Sequence, residues 1–498
     1  MRKTAIALIV LLTIVLSFGA LGCTRTAYVS PTPSFTPTPT PSPTLKLTPT
    51  LIMPTLIVAA SNSPNKDGAD YQCDGTDDQV EIQAAINALP ASGGKVVLLD
   101  GTFNISGGSY IDLTRRVTIE GQGNSTVLAK GSPPTKPYML YARDSTSPHS
   151  DIEVRNLQID CGNPSTLLDA IVAYRADGLV LQDLHIVAGS NRQGALYIYH
   201  SNQIKILDCV FEGIHVQVSG EPTTGSDTVI DSEDVLIQGC RWLNGPFDTF
   251  CIGNIARNFQ IVYNDFQNCG YGAIDISRSP DSTVSYNTID TCGQVGIYIE
   301  GGRNVVIGNN TITNSYESGI VLRNQLGLAA AGNITVQDNT LVNCHGDGIV
   351  SIGVPRVTII SNHISGLTRH GVLLEKITVN GLDYYADYCK VADNNIYNFG
   401  RGTPHSIGIC LDDVRDAHVY GNYIDGNNNG YAAGGIFEGG ISDHNMIENN
   451  TITGVEEGIY TSGPNSVVLN NTISPVPTTT PVPTPTAAPT LMPRQGYI

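Results

Sequence analysis

Apolar and polar residues alternate with a period of two through most of the chain, in short segments separated by polar turns. One phrase recurs, in which an apolar residue precedes an Asn by three positions, as in Val284-Ser-Tyr-Asn287-Thr-Ile and Val336-Gln-Asp-Asn339-Thr-Leu. An amphipathic helix would instead show a period of 3.6 residues. These segments are therefore predicted to be short β-strands.

The recurring Asn marks a structural repeat, because successive occurrences lie 21 to 32 residues apart. A unit of this length cannot bury its apolar face alone, but stacked units can, and equivalent strands then lie parallel about 4.8 Å apart. Asn suits the turn because it tolerates left-handed backbone and because stacked amides can bond along the axis. The slot is occupied by Leu157, Leu184, Cys209, Cys240, Asn264, Asn287, Asn310, Asn339, Asn362, Asn394, Asn422, Asn450 and Asn471.

A second phrase begins nine residues after the Asn in several repeats, at Gly296, Gly319, Gly348 and Gly371. Together the two phrases over residues 93–474 resemble the right-handed parallel β-helix family typified by pectate lyases and polygalacturonases. The resemblance implies an all-β right-handed parallel β-helix solenoid of about 14 coils. It also implies a substrate groove along the sheet that the Gly-Ile phrases build.

The start of the solenoid is predicted to be an N-terminal cap at residues 55–92. Thr76-Asp-Asp-Gln79 has the form of a capping box. It precedes an i, i+3, i+4, i+7 apolar stripe formed by Ile82, Ala85, Ile86 and Leu89. An amphipathic helix here would cover the open edge of the first coil, and the stretch from Asp70 to Phe103 resembles the opening of pectate-lyase-like proteins.

Residues 1–23 have the features of a secretion signal: Met1-Arg-Lys, an apolar run at 6–18, and small residues before Cys23. The position of Cys23 resembles a bacterial lipoprotein processing site, which implies lipidation of its thiol and a membrane anchor. Simple cleavage with an unmodified Cys23 is the alternative. Either way we expect an exported protein, at the cell surface or in the periplasm.

Proline-rich tracts flank the predicted solenoid. Of the 28 prolines, eight lie within 31–54 and seven within 475–493. Pro/Thr chains stay extended and act as semi-rigid spacers. We therefore predict a linker at residues 24–54 and a tail at 475–498.

Charged residues make up only 14% of the chain, Gly is abundant at 52 residues, and the net charge is −18. This composition excludes a coiled coil and a disordered chain, and the lack of a basic stripe argues against a nucleic-acid partner. An acidic polysaccharide would need a bridging cation, for which Ca²⁺ is the candidate, although no ligand set can be named. We expect a monomer.

The cysteines allow two interpretations. Cys269 and Cys292 occupy equivalent slots on adjacent coils, at a spacing compatible with a disulfide. The alternative, which we favour, is that they are small buried fillers in a ladder of turns.

Candidate site residues follow from the register of the Gly-Ile strands. Asp347 and His370 precede two of these strands and are 23 residues, or one coil, apart, so they should stack about 5 Å from each other and could share a proton or a ligand. The predicted catalytic residues are Asp347, His370, Glu317, Arg323 and Lys376. The predicted substrate-binding residues are Asp275, Tyr298, Glu300, Glu375, Tyr384, Tyr385 and Tyr388.

The resemblance to polygalacturonases is incomplete at these positions. Gly346-Asp347 and Arg369-His370-Gly371 keep parts of two family elements, whereas Glu317-Ser318 stands where Asn-Thr-Asp is expected, and the Arg-Ile-Lys element is missing. The predicted function is an extracytoplasmic polysaccharide-processing protein, either a lyase or a hydrolase. The alternative is a non-catalytic cell-surface protein that binds carbohydrate, adheres or acts as a scaffold, with these charges forming a solvated face.

The predicted lipid anchor is tested by replacing Cys23 with Ser. We expect the Cys23→Ser protein to leave the membrane fraction, because a processing site without its thiol cannot accept the lipid that holds the chain to the bilayer. Unchanged membrane fractionation of the variant would remove the anchor from the interpretation.

Overall fold

The computed structural model describes residues 53–113, 116–131, 138–143, 149–162, 168–188, 194–219, 232–324, 331–401, 404–428 and 430–474. The predicted signal segment with Cys23, the linker up to residue 52 and the predicted tail at 475–498 lie outside these residues. No helix in the described part of the chain is long and apolar enough to cross a membrane.

Three ladders of parallel strands wind into a β-solenoid of about 13 turns, which confirms the predicted fold class. In the first sheet the strands are Thr55–Ala59, Gly94–Leu98, Val117–Lys130, Glu153–Asp160, Val180–Val187, Asn202–Leu207, Glu233–Gln238, Arg257–Val262, Thr283–Ser285, Val306–Gly308, Ile334–Gln337, Val357–Ile360, Lys390–Ala392, His418–Tyr420, Met446–Glu448 and Val467–Leu469, with Tyr71–Gln72 paired to the first of them.

The second sheet shares three long strands with the first, namely 117–130, 153–160 and 180–187. Its other strands are Gly101–Ile105, Val210–Glu212, Arg241–Leu243, Asp265–Cys269, Thr288–Cys292, Thr311–Ser315, Thr340–Val342, His363–Ser365, Asn395–Tyr397, Tyr423–Asp425, Thr451–Thr453 and Thr472–Ser474.

The third sheet has 14 strands and contains the Gly-Ile phrases. Its strands are Ile111–Asp112, Tyr138–Arg143, Leu168–Tyr174, Gly194–Tyr199, Ile214–Ser219, Ile252–Ile255, Ile274–Ser277, Ile297–Glu300, Ile320–Arg323, Ile349–Ile352, Val372–Glu375, Ser406–Asp412, Ala432–Gly439 and Glu457–Tyr460. Two small pairs complete the strands: His149–Ser150 with Ala176–Asp177, and the antiparallel hairpin Ile377–Val379 with Leu382–Tyr384.

The core is a set of aliphatic columns inside the coils. In the second sheet Ile289, Ile312, Leu341 and Ile364 lie in register on successive coils, and all four are fully buried. Branched aliphatic side chains suit this position because they pack well on a pleated surface. The alternation seen in the sequence is thus inward-facing apolar residues and outward-facing polar ones.

The recurring Asn forms a continuous hydrogen-bonded ladder from Asn264 to Asn471. In each step the Oδ1 atom of one Asn accepts bonds from both the backbone N–H and the side-chain amide of the Asn on the preceding coil. Between Asn310 and Asn339 these distances are 3.0 and 2.9 Å. The Asn339 amide also donates to the carbonyl of Ile307 at 3.0 Å. The predicted stacking of amides along the axis is confirmed.

The left-handed backbone lies one residue earlier than we predicted. Asn310 and Asn339 are absent from the residues with positive φ, whereas Asn309 and Asp338, which precede them, have φ of 57° and 55°. The turn therefore bends at the exposed preceding residue. The Asn itself is retained for its hydrogen bonds.

The predicted capping helix is present at Gln79–Ala88, with Ile82, Ala85 and Ile86 buried. The capping box is wrong, since the N-cap residue is Asp78 and its side chain makes no cap hydrogen bond. Its carboxylate instead accepts the backbone N–H groups of Gly75 and Asn104. These bonds attach the helix to the strand Gly101–Ile105, and so to the first coils.

The ten cysteines of the described residues are all buried thiols, which agrees with the filler interpretation. Cys269 and Cys292 lie in register on adjacent coils, as predicted. Burial raises the pKa of several of these thiols, to about 12 for Cys344 and Cys389, so they are neutral groups at physiological pH.

Replacing Asn339 with Ala tests the ladder. The substitution leaves the buried N–H of Asn310 and the carbonyl of Ile307 without their partners, at roughly 1–3 kcal/mol for each. We expect the free energy of unfolding to fall by about 3 kcal/mol, measured by urea denaturation. Asn471→Ala at the exposed end of the ladder is the matched control, and an equal loss in both variants would contradict this role.

Candidate functional site

One outward-facing column of the third sheet brings polar groups together on four successive coils. The register aligns Gln217 with Gly253, Gly253 with Asp275, and Asp275 with Tyr298. Gly253 matters because it has no side chain. A Cβ there would lie 2.7 Å from the Gln217 amide oxygen and 2.9 Å from the His215 ring. The imidazole and the amide therefore occupy the space above this glycine.

Asp275 lies at the centre of this column. Burial, and to a smaller extent the charge of Glu300 on the next coil, raise the pKa of the Asp275 carboxyl to about 7. A hydrogen bond from Ser277 acts in the opposite direction and lowers this pKa. That bond, from the Ser277 hydroxyl to Asp275 Oδ1, measures 2.9 Å. A carboxyl with a pKa near neutrality can both donate and accept a proton at physiological pH.

Tyr298 and Glu300 form a phenol–carboxyl pair beside Asp275. The Tyr298 hydroxyl donates to Glu300 Oε2 at 2.5 Å, and Glu300 is 8% exposed. Burial and then the hydrogen bond to Glu300 raise the pKa of Tyr298. The phenol is therefore protonated at neutral pH, where it can serve as a hydrogen-bond or proton donor.

His215 is a buried neutral imidazole. Its Nδ1 atom lies 2.7 Å from the carbonyl of Phe250, and its Nε2 atom lies 3.0 Å from the side-chain amide of Gln217. Burial lowers the pKa of His215. Since a carbonyl can only accept, Nδ1 carries the proton, and the Gln217 amide must turn its NH₂ group towards Nε2.

Aromatic rings lie beside the same column. The ring of Phe250 lies 5.1 Å from that of Tyr271, edge to face, and 6.1 Å from that of Tyr298 at 27°. Burial, and then the charges of Glu317 and Asp275, raise the pKa of Tyr271. Aromatic faces beside hydrogen-bonding groups suit a sugar ring, which has apolar faces and polar edges.

The polar face continues onto the preceding coils. Burial raises the pKa of Asp169 to about 7, and burial with the charge of Asp169 raises that of Tyr197. The rings of Tyr197 and Tyr199 stack 5.6 Å apart at 11°. We use the term upstream face for the outward residues of the third sheet from Asp169 to Glu300.

Sequence reasoning missed several residues of this face because the upstream coils lack a clear Gly-Ile phrase to set their register. The missing signal was in the strand pattern itself: Tyr197 and Tyr199 alternate with buried Leu196 and Ile198. The missed residues are Asp169, Tyr197, His215, Gln217, Phe250 and Tyr271, whereas Asp275, Tyr298 and Glu300 were predicted to bind substrate.

Asp347 and His370 lie on adjacent coils as expected, but their side chains are buried and bonded to the backbone. Asp347 Oδ1 accepts the N–H of His370 at 3.0 Å, and His370 Nδ1 accepts the N–H of Ile407 at 3.0 Å. Arg369 lies 3.8 Å from the second Asp347 oxygen. These contacts join consecutive coils, and the catalytic role of this pair stays a prediction.

The other predicted catalytic residues have contacts of their own. Arg323 lies in register with Glu300, at the edge of the upstream face. Glu317 acts electrostatically on Tyr271. Lys376 lies 2.9 Å from an Asp413 carboxylate oxygen, a bond that raises the pKa of the Lys376 ammonium. A raised pKa keeps this lysine protonated, which does not suit a general base.

The sheet face around the predicted centre is apolar. On the coils after Tyr298 the central outward column continues as Val321, Val350, Leu373 and Cys410, and all four side chains are buried in a second apolar cluster outside the coil. Glu375 lies one column further, in register with Asp412. The polar residues at this part of the sheet, such as Glu375 and Asp412, therefore lie beside the apolar column.

The three predicted tyrosines line a separate cleft of about 230 Å³ at the ends of the third-sheet strands. Tyr385 is covered by the Arg415 guanidinium, 4.4 Å from the ring centre, and Arg415 is paired with Asp387 at 2.9 Å. The cleft is lined by Asn324, Ala331, Gly353, Pro355, Arg356, Asp383, Tyr384, Tyr385, Asp387 and Tyr388. Asp347 and His370 precede their strands and are not among these residues.

One group among the described residues has the composition of a metal site: Cys73, Asp78 and Glu81, whose ligand atoms lie within 4.8 Å of one another. Burial raises the pKa of the Cys73 thiol to about 12, and both Asp78 oxygens already accept backbone N–H groups. A neutral thiol and an occupied carboxylate suit the helix cap better than a cation, so Ca²⁺ stays a prediction without a defined site.

Comparison with known families identifies the chain. The family model described as "Right handed beta helix region" matches residues 194–376, 282–433 and 328–476, which together cover more than half of the chain. The protein therefore belongs to the right-handed β-helix family. A search of curated proteins finds no match.

Solved structures of similar fold include the A-module of the Azotobacter vinelandii mannuronan C-5 epimerase AlgE6, at 19% identity and a TM-score of 0.46, covering 81% of this chain and 96% of that one. Bacteriophage CBA120 tailspike protein 3 is similar at 12% identity and a TM-score of 0.51, over 83% and 61% of the two chains. An alginate lyase from Paenibacillus sp. strain FPU-7 matches at 15% identity and a TM-score of 0.40, covering 62% of this chain and 94% of that one. These likenesses show the fold alone.

The raised pKa of Asp275 predicts a pH-dependent stability. An Asp in the unfolded chain ionises near pH 4, whereas folded Asp275 keeps its proton to about pH 7. The folded state therefore binds more protons in this window, and the free energy of unfolding falls as the pH rises from about 4 to about 7. Asp275→Asn removes this contribution, so its stability relative to wild type should increase across the window and then level off.

Urea denaturation at a series of pH values measures this difference. Asp234→Asn, at an exposed carboxyl on the first sheet, is the control and should differ from wild type by a constant amount. If the Asp275→Asn curve runs parallel to wild type as well, Asp275 is not protonated in the folded protein at neutral pH.

Proposed function

We propose that the protein is an extracytoplasmic polysaccharide-processing enzyme whose active centre lies on the upstream face, around Asp275. The observation that carries this proposal is a carboxyl whose pKa burial raises to about 7, in register with a protonated phenol on the next coil, together with a buried imidazole two coils upstream on the same face. Titratable groups shifted towards neutrality and clustered on one surface are typical of acid–base catalysis.

Each of these groups has a defined task in cleaving a glycosidic bond. Asp275 is the group that exchanges a proton with the substrate. Tyr298 donates to an oxygen that gains negative charge, and Glu300 orients its hydroxyl. His215, fixed by the Phe250 carbonyl, and the Gln217 amide occupy the space above Gly253 and offer polar groups to the substrate there. Phe250 and Tyr271 offer apolar faces to the sugar ring.

Both reaction classes remain compatible with this set. Hydrolysis uses two carboxyls, for which Asp275 and Glu300 are candidates. Elimination uses a base and a proton donor on a sugar that carries a carboxylate, for which His215 or Asp275 and Tyr298 are candidates. An epimerase and a lyase are among the structures of similar fold, but the proposal is based on the site and not on that likeness.

A non-catalytic carbohydrate-binding role is the second candidate, and the tyrosine cleft favours it. Tyr384, Tyr385 and Tyr388 combine aromatic surface with the hydrogen-bonding groups of Asp383 and Arg356 in a cavity wide enough for about one sugar unit. If the cleft is the functional site, the protein binds a glycan without converting it. If the upstream face is catalytic, the cleft can hold a distant part of the same chain.

The test is to assay purified protein against a panel of neutral and acidic polysaccharides, following new reducing ends and the ultraviolet absorbance of unsaturated products. Reducing ends without absorbance indicate a hydrolase, and both together indicate a lyase. With a confirmed substrate, we expect Asp275→Asn and Tyr298→Phe each to lower kcat by about 10²–10⁴-fold, the range for loss of a general acid or base.

Two further variants distinguish the alternatives. Tyr263→Phe changes an exposed tyrosine that directly follows the first-sheet strand Arg257–Val262, and it should leave kcat unchanged. Asp347→Ala/His370→Ala tests the pair predicted from the sequence, and full activity in this variant would exclude a catalytic role for it. Glycan binding without conversion, together with full binding by Asp275→Asn, would favour the binding protein over the enzyme.

A further inference from the structure

The loop Gly245–Phe250 determines the shape of the upstream face. Its last residue, Phe250, supplies both the carbonyl that fixes His215 and the ring that packs over Gly272. The charge of Asp248, in the same loop, acts on His215 and raises its pKa against the effect of burial. The next residue, Cys251, leads into the strand Ile252–Ile255. A bond that fixes the position of Cys251 therefore also restrains the loop that precedes it.

Cys251 lies against a second thiol. Its Sγ atom is 3.1 Å from Sγ of Cys269, the last residue of the strand Asp265–Cys269. The two side chains are 0% and 2% exposed. A disulfide requires an S–S distance of about 2.05 Å, so the sulfurs need to approach each other by only about 1 Å.

The surroundings keep these two sulfurs together. A Cβ at Gly245 would overlap Cys251 Sγ and would lie 3.3 Å from the Cα atom of Cys269, so the absence of a side chain at 245 leaves room for the pair. Cys292, the in-register neighbour of Cys269 on the next coil, is the competing partner. The short contact to Cys251 favours the first pairing.

We propose that Cys251 and Cys269 form a disulfide when the chain folds in an oxidising compartment, and that this bond fixes the loop that orients His215. The two thiols lose two protons and two electrons to a disulfide oxidant, such as oxidised glutathione or a protein disulfide oxidoreductase. One S–S bond forms in the chain and the oxidant is reduced to two thiols. Exchange takes place during folding, before burial closes access to the sulfurs.

Peptide mapping identifies the bond directly. The full chain is refolded in a glutathione redox buffer, alkylated under denaturing conditions without reduction, digested and analysed by mass spectrometry. We expect one cross-linked pair of peptides that contains Cys251 and Cys269, and alkylated Cys389 as the internal control. A cross-link between Cys269 and Cys292, or alkylation of both Cys251 and Cys269, would overturn the proposal.

Hydrogen exchange tests the role of the bond in the loop. Reduction should accelerate amide exchange in residues 245–251 at least several-fold, while residues 340–344 on a distant coil should exchange at an unchanged rate. Cys251→Ser should exchange rapidly in this loop with or without reductant, and Cys389→Ser should behave like wild type. Equal exchange in oxidised and reduced wild-type protein would refute the role in the loop, and this readout does not require enzymatic activity.

Discussion

Inter-coil hydrogen bonding at the turn of the second sheet is the constraint on which the rest of the molecule depends. Each ladder Asn after Asn264 accepts two bonds from the Asn of the preceding coil and donates one to a backbone carbonyl there, as Asn339 does with Asn310 and Ile307. A buried turn would otherwise leave its backbone N–H and C=O groups without partners. From Asn264 to Asn471 this ladder joins each coil to the next, and outward-facing residues of the third sheet such as Asp275, Tyr298 and Val321 lie in register on these coils.

That register explains how single residues on different coils can form one site. Gln217, Gly253, Asp275 and Tyr298 are separated by 22 to 36 positions in the sequence, yet successive members of this column are paired across adjacent strands. The four residues of the column therefore need no loop to bring them together. The column requires only that one of its positions be glycine, since any side chain at 253 would fill the space that His215 and Gln217 occupy.

The fold could be predicted from the sequence because the repeat encodes it redundantly. The Asn slot, the Gly-Ile phrase and the helix stripe at Ile82 each indicate a capped solenoid, and each has a local physical cause. The site was predicted only in part. Asp275, Tyr298 and Glu300 follow from strand alternation, whereas His215 lies on a coil with no Gly-Ile phrase nine residues after its turn slot. The orientation of its ring depends on the hydrogen bond to the Phe250 carbonyl, a contact that no periodicity contains.

Asp347 and His370 show why polar residues in a solenoid are easily assigned to catalysis. Both precede a strand whose glycine brings the backbones of adjacent coils together, and a buried side chain at that point can bond the N–H of the next coil. The same residue types that transfer protons at an active site can thus serve only to join coils. The outward-facing column of the third sheet distinguishes a catalytic face from a structural one. Beyond Tyr298 the column consists of Val321, Val350 and Leu373, which make this face apolar. On this sheet face, charge and aromatic surface lie together upstream, where burial raises the pKa of Asp275 towards neutrality.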